Sequence, residues 1–176
     1  ELGQDVALAA ASLRRRSSLW AFALQGAGTH FSVGVNPYNY CSDVSVPLAA
    51  SAYSCEALLD GFVQLRALQI PIVCAVHGKL IGAALAASLN ADYIVSHADA
   101  TFCHGNIVRG VCPLGTLSQT LVQAVGCGRA LRMYLTNETL DSTGALASEL
   151  VHKVCDDGVA ATQQRAAEAA RLLAQE

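Results

Sequence analysis

Short apolar runs alternate along this chain with stretches in which apolar residues recur at helical spacing. Residues 19–24, 72–76 and 93–96 are continuous or β-branched apolar runs, which are typical of strands buried in a sheet. Residues 58–68 place their large apolar side chains mostly along one helical face, and Pro71 ends that helix. Strands that alternate with helices predict an α/β fold.

Shorter elements complete the predicted architecture. Further strands are predicted at residues 31–33, 101–103 and 150–154. Further helices are predicted at residues 82–89, 116–125, 129–135 and 159–175, with one more that Ser142 can cap. Residues 39–51 are small, polar and proline-containing, which predicts a surface loop. Because neither a repeat nor a linker is visible, we interpret residues 1–176 as one domain.

The composition narrows the classes of function. Hydrophobic residues make up 53% of the 176 residues and charged residues 14%, so we expect part of the surface to be covered in an oligomer or a larger polypeptide. A net charge of −3 provides no basic footprint for nucleic acid or an anionic membrane. No apolar run is long enough to cross a bilayer. The chain opens at Glu1, and we interpret it as a processed product or an excised piece.

The cysteines predict neither a metal site nor a disulfide framework. There are seven of them, an odd number, and no Cys-x-x-Cys pair occurs. Free thiols indicate a reducing compartment, either the cytoplasm or the matrix of an organelle.

Gly26 and Gly28 follow the first strand and suggest a dinucleotide-binding loop. Phe31 occupies the position of the third glycine, however, and Pro37 opposes the helix that should follow. A plain turn is the better interpretation. Nucleotide-binding P-loops, serine nucleophile elbows and His-Glu-x-x-His zinc helices are also absent from the sequence, so we expect no bound cofactor.

Two glycine-containing turns remain as the candidate chemistry. One contains Gly34 and Val35, the other Gly82 and Ala83, and each follows an apolar strand. Small residues let a ligand approach the backbone, and two N–H groups that converge on one oxygen form an oxyanion hole. Such turns are common, and tight packing alone is the alternative interpretation.

Several segments occur in the order of the motifs of one known family. They are Gly26-Ala-Gly-Thr-His-Phe31-Ser-Val-Gly34-Val-Asn36 (similar to "GxGxxFSxGxD"), Ile70-Pro-Ile-Val-Cys-Ala-Val-His-Gly78 ("KPVIAAVNG"), Gly82-Ala-Ala-Leu-Ala86 ("GGGxE"), Asn90-Ala-Asp92, Ala100-Thr-Phe102, Gly110-Val-Cys-Pro113 and Leu140-Asp-Ser-x-x-Ala145. Between residues 20 and 154 this series resembles the crotonase (enoyl-CoA hydratase/isomerase) superfamily.

The resemblance implies a fold, a ligand and an assembly. The fold would be a spiral of ββα units, here a core with shortened ends. The substrate would be an acyl thioester on coenzyme A or on the phosphopantetheine of an acyl carrier protein, and the assembly would be a homotrimer or a dimer of trimers. The backbone N–H groups of Val35 and Ala83 would hold the thioester oxygen, with Gly34 and Gly82 shaping the substrate-binding turns.

The departures from the family pattern change the expected reaction. The two glutamates that the hydratases use as acid and base fall on Ala86 and Asn106, and the aspartate beside the first turn is Asn36. Loss of a general acid or base costs about 10²–10⁴-fold in rate. We therefore expect weak or no hydration, and decarboxylation or isomerisation through a thioester enolate in its place.

An enolate needs a proton donor, and three side chains near the turns are candidates: His104, Tyr38 and Tyr40. Asn106 is a further predicted catalytic residue, although its neutral side chain cannot transfer a proton. Arg109 could bind a substrate carboxylate, although a surface arginine is the simpler interpretation. Cys103 and Cys112 flank the same segment without an evident base.

Three hypotheses for the function stay open at this point. The first is an enolate-stabilising enzyme, with a module of a polyketide synthase as one setting. The second is a catalytically inactive acyl-binding or scaffolding homologue, and the third is a hydratase with unusual proton donors. The family's terminal segments are expected to be missing, as in a fragment, a short form or a module of a larger synthase.

Overall fold

The computed structural model describes residues 2–16, 18–34 and 48–175. The helices are α1 (Leu2–Arg14), α2 (Leu48–Arg66), α3 (Ala83–Ser88), α4 (Leu117–Val125), α5 (Cys127–Thr136), α6 (Ser142–Ala147) and α7 (Val159–Leu173). The strands are β1 (Phe22–Gln25), β2 (Ile72–Val76), β3 (Lys79–Ile81), β4 (Tyr93–His97), β5 (Thr101–Cys103), β6 (Thr139–Asp141) and β7 (Lys153–Cys155). A 3₁₀ turn covers Ile107–Arg109.

The strands form two sheets that the chain visits in turn. The first sheet is parallel, in the order β1-β2-β4-β7. The second has the order β3-β5-β6, with β3 and β5 parallel and β5 and β6 antiparallel. Because β2 and β4 are each followed by a strand of the second sheet and then by helical structure, the chain repeats a ββα unit. This confirms the predicted spiral.

The central strand β2 is buried on both faces, as its continuous apolar run predicts. Val73 and Ala75 pack against Ala166 and Ala170 of α7. Cys74 and Val76 face the larger core between the two sheets. The small alanine side chains of α7 let the helix lie close to the sheet. The rigid layer that results carries the turns that follow β2.

Several elements differ from the prediction. Helix α1 is absent from the predicted elements, and α2 begins at Leu48, within the predicted loop. Residues 31–33 form only an isolated bridge, Ser32 with Leu80, while the short strands β3 and β6 had not been predicted. The last strand begins at Lys153 and not at residue 150.

The cap of α6 also needs correction. Asp141 precedes the helix, and its side chain accepts a hydrogen bond from the Gly144 N–H at 2.7 Å. Ser142 is the first helical residue, and its hydroxyl donates to the Ala98 carbonyl at 2.8 Å. Asp141 therefore caps the helix, and Ser142 ties it to the turn after β4.

Among the cysteines whose side chains the structure describes, Cys74, Cys103, Cys112, Cys127 and Cys155 are free thiols. Complete burial raises the pKa of Cys74 far above its ordinary value, so this thiol behaves as an apolar core group. Among the helices of the described ranges, none has both the length and the apolar character that crossing a membrane requires.

Replacing Asp141 by alanine should lower the free energy of unfolding by about 1 kcal/mol, because the Gly144 N–H loses its acceptor. Asp141→Asn keeps a capping oxygen and should retain most of the stability. Urea unfolding monitored by circular dichroism measures both variants. Equal stability of Asp141→Ala and the parent chain would show that this cap contributes nothing.

Candidate active site

The backbone around Ser32 and the strand β3 run side by side in the same direction. The Ser32 N–H donates to the Lys79 carbonyl at 3.3 Å, and the Ile81 N–H donates to the Ser32 carbonyl at 3.4 Å. Ser32 pairs with Leu80 in a parallel bridge. Because the pairing is parallel, the residues that follow Ser32 reach the same place as the residues that follow β3.

Gly34 lies directly against the second turn. Its φ is 80°, and a Cβ added to it would lie 2.4 Å from the Ile81 carbonyl oxygen and 3.6 Å from the Ala83 nitrogen. The Gly34 N–H donates to the Ser32 hydroxyl at 3.2 Å. A side chain could not fit there without separating the two segments. The structure thus brings Gly34 and Ala83 together, as the sequence predicts.

Ala83 presents a backbone N–H at this junction. It is the first residue of α3 and follows Gly82, whose φ of 59° and ψ of −112° suit only glycine. The Gly82 N–H donates to the Cys103 carbonyl at 3.2 Å. The Ala83 N–H has no acceptor among the described residues, as is usual at the start of a helix. Within the described part of the chain, this N–H is thus available to a ligand.

Val35, the predicted second donor, lies outside the described residues, as do Asn36, Tyr38 and Tyr40. The oxyanion role of the Val35 N–H and the proton-donor role of the two tyrosines stay predictions.

A cavity of about 320 Å³ opens beside Gly34 and Ala83. Its walls include the side chains of Leu24, Phe31, Leu58 and Phe62, and helix α1 contributes one side. Among the described residues that line it, Gln25 and Ser32 have the only polar side chains, and none is charged. The cavity is at the small end of the range for ligand sites, and it suits an apolar group.

A larger groove, about 670 Å³, lies at the amino ends of β4 and β7. The stacked rings of Tyr93 and His152 form part of its wall, with centroids 4.8 Å apart. It is open and contains none of the predicted site residues. We therefore place the chemistry at the smaller cavity, where the two turns meet.

The comparisons with known proteins agree with this geometry. The sequence profile of the Enoyl-CoA hydratase/isomerase family matches residues 1–176. The chain belongs to the enoyl-CoA hydratase/isomerase family. It is 30% identical over 166 residues to "4-chlorobenzoyl coenzyme A dehalogenase-1" of Arthrobacter sp, covering 92% of this chain and 58% of the relative. It is 32% identical over 148 residues to "Probable enoyl-CoA hydratase EchA12" of Mycobacterium tuberculosis, covering 80% of this chain and 51% of the relative.

Solved structures of this family share the fold. Pseudomonas aeruginosa DspI superposes with a TM-score of 0.89 at 26% identity, covering 97% of this chain and 68% of that one. Enoyl-CoA hydratase from Bacillus anthracis gives a TM-score of 0.89 at 19% identity, covering 99% and 66%, which shows the fold alone. The chain spans about half the length of the curated relatives that it matches.

Ala86 occupies the position that the resemblance to the enoyl-CoA hydratase/isomerase family assigns to the first glutamate. It is fully buried in the core and does not line the cavity. Its Cβ lies 3.3 Å from the point that a Cβ on Gly115 would occupy, and the Phe62 ring also packs against Gly115. Position 86 therefore has no acid or base, and the surrounding packing leaves little room for one.

Asn106 occupies the position assigned to the second glutamate. It lies beside the turn formed by Gly82 and Ala83, which we call the oxyanion turn after its predicted role. Its Nδ2 donates to the Cys112 carbonyl at 2.8 Å. Its Oδ1 lies 3.3 Å from the point that a Cβ on Gly82 would occupy. A neutral amide fixed in this way can orient a ligand, but it does not act as a general acid or base near neutral pH.

His104 is buried, with 2% of its surface exposed, and packs edge-on against the ring of Tyr134 at 4.8 Å. Its Nδ1 has no partner among the described residues. Burial lowers the pKa of His104, and a hydrogen bond with the Asn106 side chain opposes that shift without cancelling it. Burial therefore favours the neutral form of the imidazole.

The remaining predicted groups have local partners. Arg109 is exposed, and its Nη1 donates to the Gly105 carbonyl at 2.5 Å. Cys112 is exposed, whereas the Cys103 thiol donates to the side chain of Asn137 at 3.5 Å. Within the described part of the chain, no group of three His, Cys, Asp or Glu side chains is placed to hold a metal ion.

Sequence reasoning missed two residues that build the site. Ser32 bridges the two turns, and its position within the quoted motif could have indicated this. Asn137 accepts a hydrogen bond from the Gly105 N–H at 2.9 Å across 32 residues of sequence. Only its position just after a helix, where asparagine often takes the left-handed conformation, could have drawn attention to it.

Replacing Gly34 by alanine should lower the free energy of unfolding by about 1–3 kcal/mol, because the added methyl group meets the Ile81 carbonyl at a left-handed backbone position. Gly28→Ala is the matched control. A Cβ there has nothing within 4 Å, and the φ of Gly28 is not positive. Thermal and urea unfolding compare the two variants. Similar losses in both would argue against the close approach of the two segments.

The stability of the chain should fall on acidification because of His104. The folded state holds the pKa of His104 below its ordinary value of about 6.5, so below that pH the unfolded chain binds the proton more readily. This stability is complete above the ordinary value and is lost as the pH falls toward the folded-state pKa, by up to about 1.4 kcal/mol per pH unit. His104→Phe keeps an aromatic ring and should show a shallower loss between pH 7.5 and 5.5 in urea unfolding. Identical pH slopes would contradict the assignment.

Proposed function

We propose that this chain acts on an acyl-CoA thioester by stabilising its enolate, and that it isomerises or decarboxylates the substrate in preference to hydrating it. The observation that supports this most directly is the approach of Gly34 to the free N–H of Ala83, beside positions 86 and 106, which carry no carboxylate.

The proposed chemistry places the thioester oxygen at the Ala83 N–H, with the Val35 N–H as the second donor. When a base removes a proton from the α-carbon, or when carbon dioxide leaves it, the electron pair of the broken bond moves into the carbonyl and the charge develops on this oxygen. Donors fixed in advance by the two turns stabilise that charge, and loss of one donor costs about 10²–10³-fold in rate.

The enolate must then accept a proton at carbon. His104 is the described candidate for taking the proton and returning it: its backbone carbonyl lies 3.5 Å from the point that a Cβ on Gly82 would occupy, and a neutral imidazole that takes a proton from the α-carbon can return it as imidazolium. Tyr38 and Tyr40 are the alternatives. Addition of water would instead need a base to deprotonate the water, and neither Ala86 nor Asn106 supplies one.

The relatives support coenzyme A as the carrier. One is named for 4-chlorobenzoyl coenzyme A and others for enoyl-CoA, so the thioester is common to them while the acyl groups differ. Delivery by an acyl carrier protein, as in a polyketide synthase, is the alternative source of the same thioester. Assembly as a trimer and a reducing compartment stay predictions.

The cavity favours isomerisation of an uncharged acyl chain over decarboxylation. A carboxylate placed there would be buried without a cationic partner among the described residues, which is costly. The exposed Arg109 is the one observation in favour of a substrate carboxylate, although its Nη1 already donates to the Gly105 carbonyl.

A catalytically inactive acyl-binding protein is the second candidate. The neutral residues at positions 86 and 106 favour it, because they would leave binding intact while removing the acid and the base. A hydratase with unusual donors is the third. Exchange of the α-proton of a thioester in D₂O separates these candidates, since only an enolate-forming protein incorporates deuterium.

We expect deuterium incorporation into butyryl-CoA by mass spectrometry, and slow or no hydration of crotonyl-CoA. Ala83→Pro removes the proposed donor at the first helical position, where proline is tolerated, and should slow the exchange by about 10²–10³-fold. Ala83→Ser keeps the N–H and is the control.

Each outcome of this experiment has a separate meaning. Binding of butyryl-CoA without exchange would support the inactive acyl-binding protein. Rapid hydration of crotonyl-CoA would support the hydratase. Equal exchange in Ala83→Pro and Ala83→Ser would exclude the Ala83 N–H as a donor. Two further assays decide between isomerisation and decarboxylation. An isomerase shifts the double bond of a 3-enoyl-CoA, whereas a decarboxylase releases carbon dioxide from malonyl- or 3-methylglutaconyl-CoA.

A further inference from the structure

Two side chains form hydrogen bonds with the backbone of Gly105, one with its N–H and one with its carbonyl. Its N–H donates to Oδ1 of Asn137 at 2.9 Å, and its carbonyl accepts a hydrogen bond from Nη1 of Arg109 at 2.5 Å. Gly105 stands between His104 and Asn106, and its φ is 68°. Two partners on opposite sides of one residue restrict the rotation of the whole three-residue segment.

The same segment packs against the oxyanion turn. A Cβ added to Gly105 would lie 2.5 Å from the Ile81 side chain and 3.8 Å from the Gly82 nitrogen. The Gly82 N–H in turn donates to the Cys103 carbonyl. The position of Gly105 therefore sets how far His104 and Asn106 stand from Gly82 and Ala83.

Asn137 reaches this segment from the end of α5. Its backbone is left-handed, with φ 52°, a conformation that asparagine tolerates better than most residues. Its Oδ1 receives the Cys103 thiol at 3.5 Å as well as the Gly105 N–H. One side-chain oxygen thus restrains the residues on both sides of His104.

We propose that Asn137 is a positioning residue that, together with Arg109, holds the segment 104–106 in register with the oxyanion turn. Its effect on turnover rests on the proposed function, whereas its effect on the segment does not. Asn137 touches neither the cavity nor Ala83, so it acts through His104 and Asn106. Arg109 then orients the backbone and does not bind the substrate directly.

Asn137→Gly is the decisive variant. Glycine keeps the left-handed backbone at the end of α5 and removes only the side-chain acceptor. Asn137→Asp retains an oxygen acceptor and is the conservative variant that should rescue the effect. Thr136→Ala controls for changes at the helix end, because the Thr136 hydroxyl donates to the Arg132 carbonyl and lies away from Gly105.

Two measurements test whether Asn137 holds the segment 104–106, and neither requires turnover. In Asn137→Gly, amide hydrogen exchange in the peptide that contains Gly105 should accelerate about 3- to 10-fold, the effect of one lost hydrogen bond. Alkylation of Cys103 by iodoacetamide, followed at the peptide level by mass spectrometry, should accelerate as well. Asn137→Asp and Thr136→Ala should stay close to the parent chain. Unchanged exchange and alkylation in Asn137→Gly would overturn the proposal.

A third measurement tests the consequence for the chemistry. On a thioester that the parent chain deuterates or converts, Asn137→Gly should lower kcat about 3- to 10-fold with little change in KM, because the cavity and the Ala83 N–H are untouched. An unchanged kcat together with faster exchange would overturn the positioning role. If the parent chain acts on no thioester, the proposed function fails. The exchange and alkylation results still decide whether Asn137 holds the segment 104–106.

Discussion

The parallel pairing of Ser32 with β3 is the constraint on which the site depends. It joins a segment that follows the first sheet to a strand of the second, so both segments end at one point. Gly34 can then rest on the Ile81 carbonyl, and the first N–H of α3 is left without an acceptor in the described structure. The pairing fixes the place of this backbone N–H, and a backbone donor needs no special side chain, so alanine at position 83 is compatible with the proposed oxyanion role.

The packing around Ala86, behind the turn formed by Gly82 and Ala83, limits which side chains position 86 can hold. Ala86 contributes a methyl group to a core shared with Phe62, and Gly115 approaches so closely that a Cβ there would overlap the phenylalanine ring. A carboxylate at position 86 would need both a different packing and access to water. A carboxylate introduced at position 86 alone would therefore bury a charge in an apolar core, which is costly.

The sequence predicted those helices and strands whose own residues form a recognisable pattern. The apolar run of β2, the small residues of α3 and the alanines of α7 each indicate their structure directly. The two turns were also predictable, since glycine marks positions of unusual backbone conformation. Strands β3 and β6 were not, because three residues carry too little pattern and depend on pairing across the sheet. The contact of Asn137 with Gly105 joins residues far apart in sequence, so no local pattern could reveal it.

The burial of His104 bears on the direction of the proposed reaction. A neutral imidazole cannot act as a cation that attracts an incoming carboxylate, but it can take a proton from carbon and return it as imidazolium if its ring is held still. The contact with Tyr134 restrains the ring, and Asn137 restrains the backbone beside it. Hydration needs a base that activates water and an acid that protonates carbon, whereas isomerisation can use one group that takes a proton from one carbon and returns it to another. One buried histidine beside an apolar cavity is therefore easier to reconcile with the proposed isomerisation than with hydration.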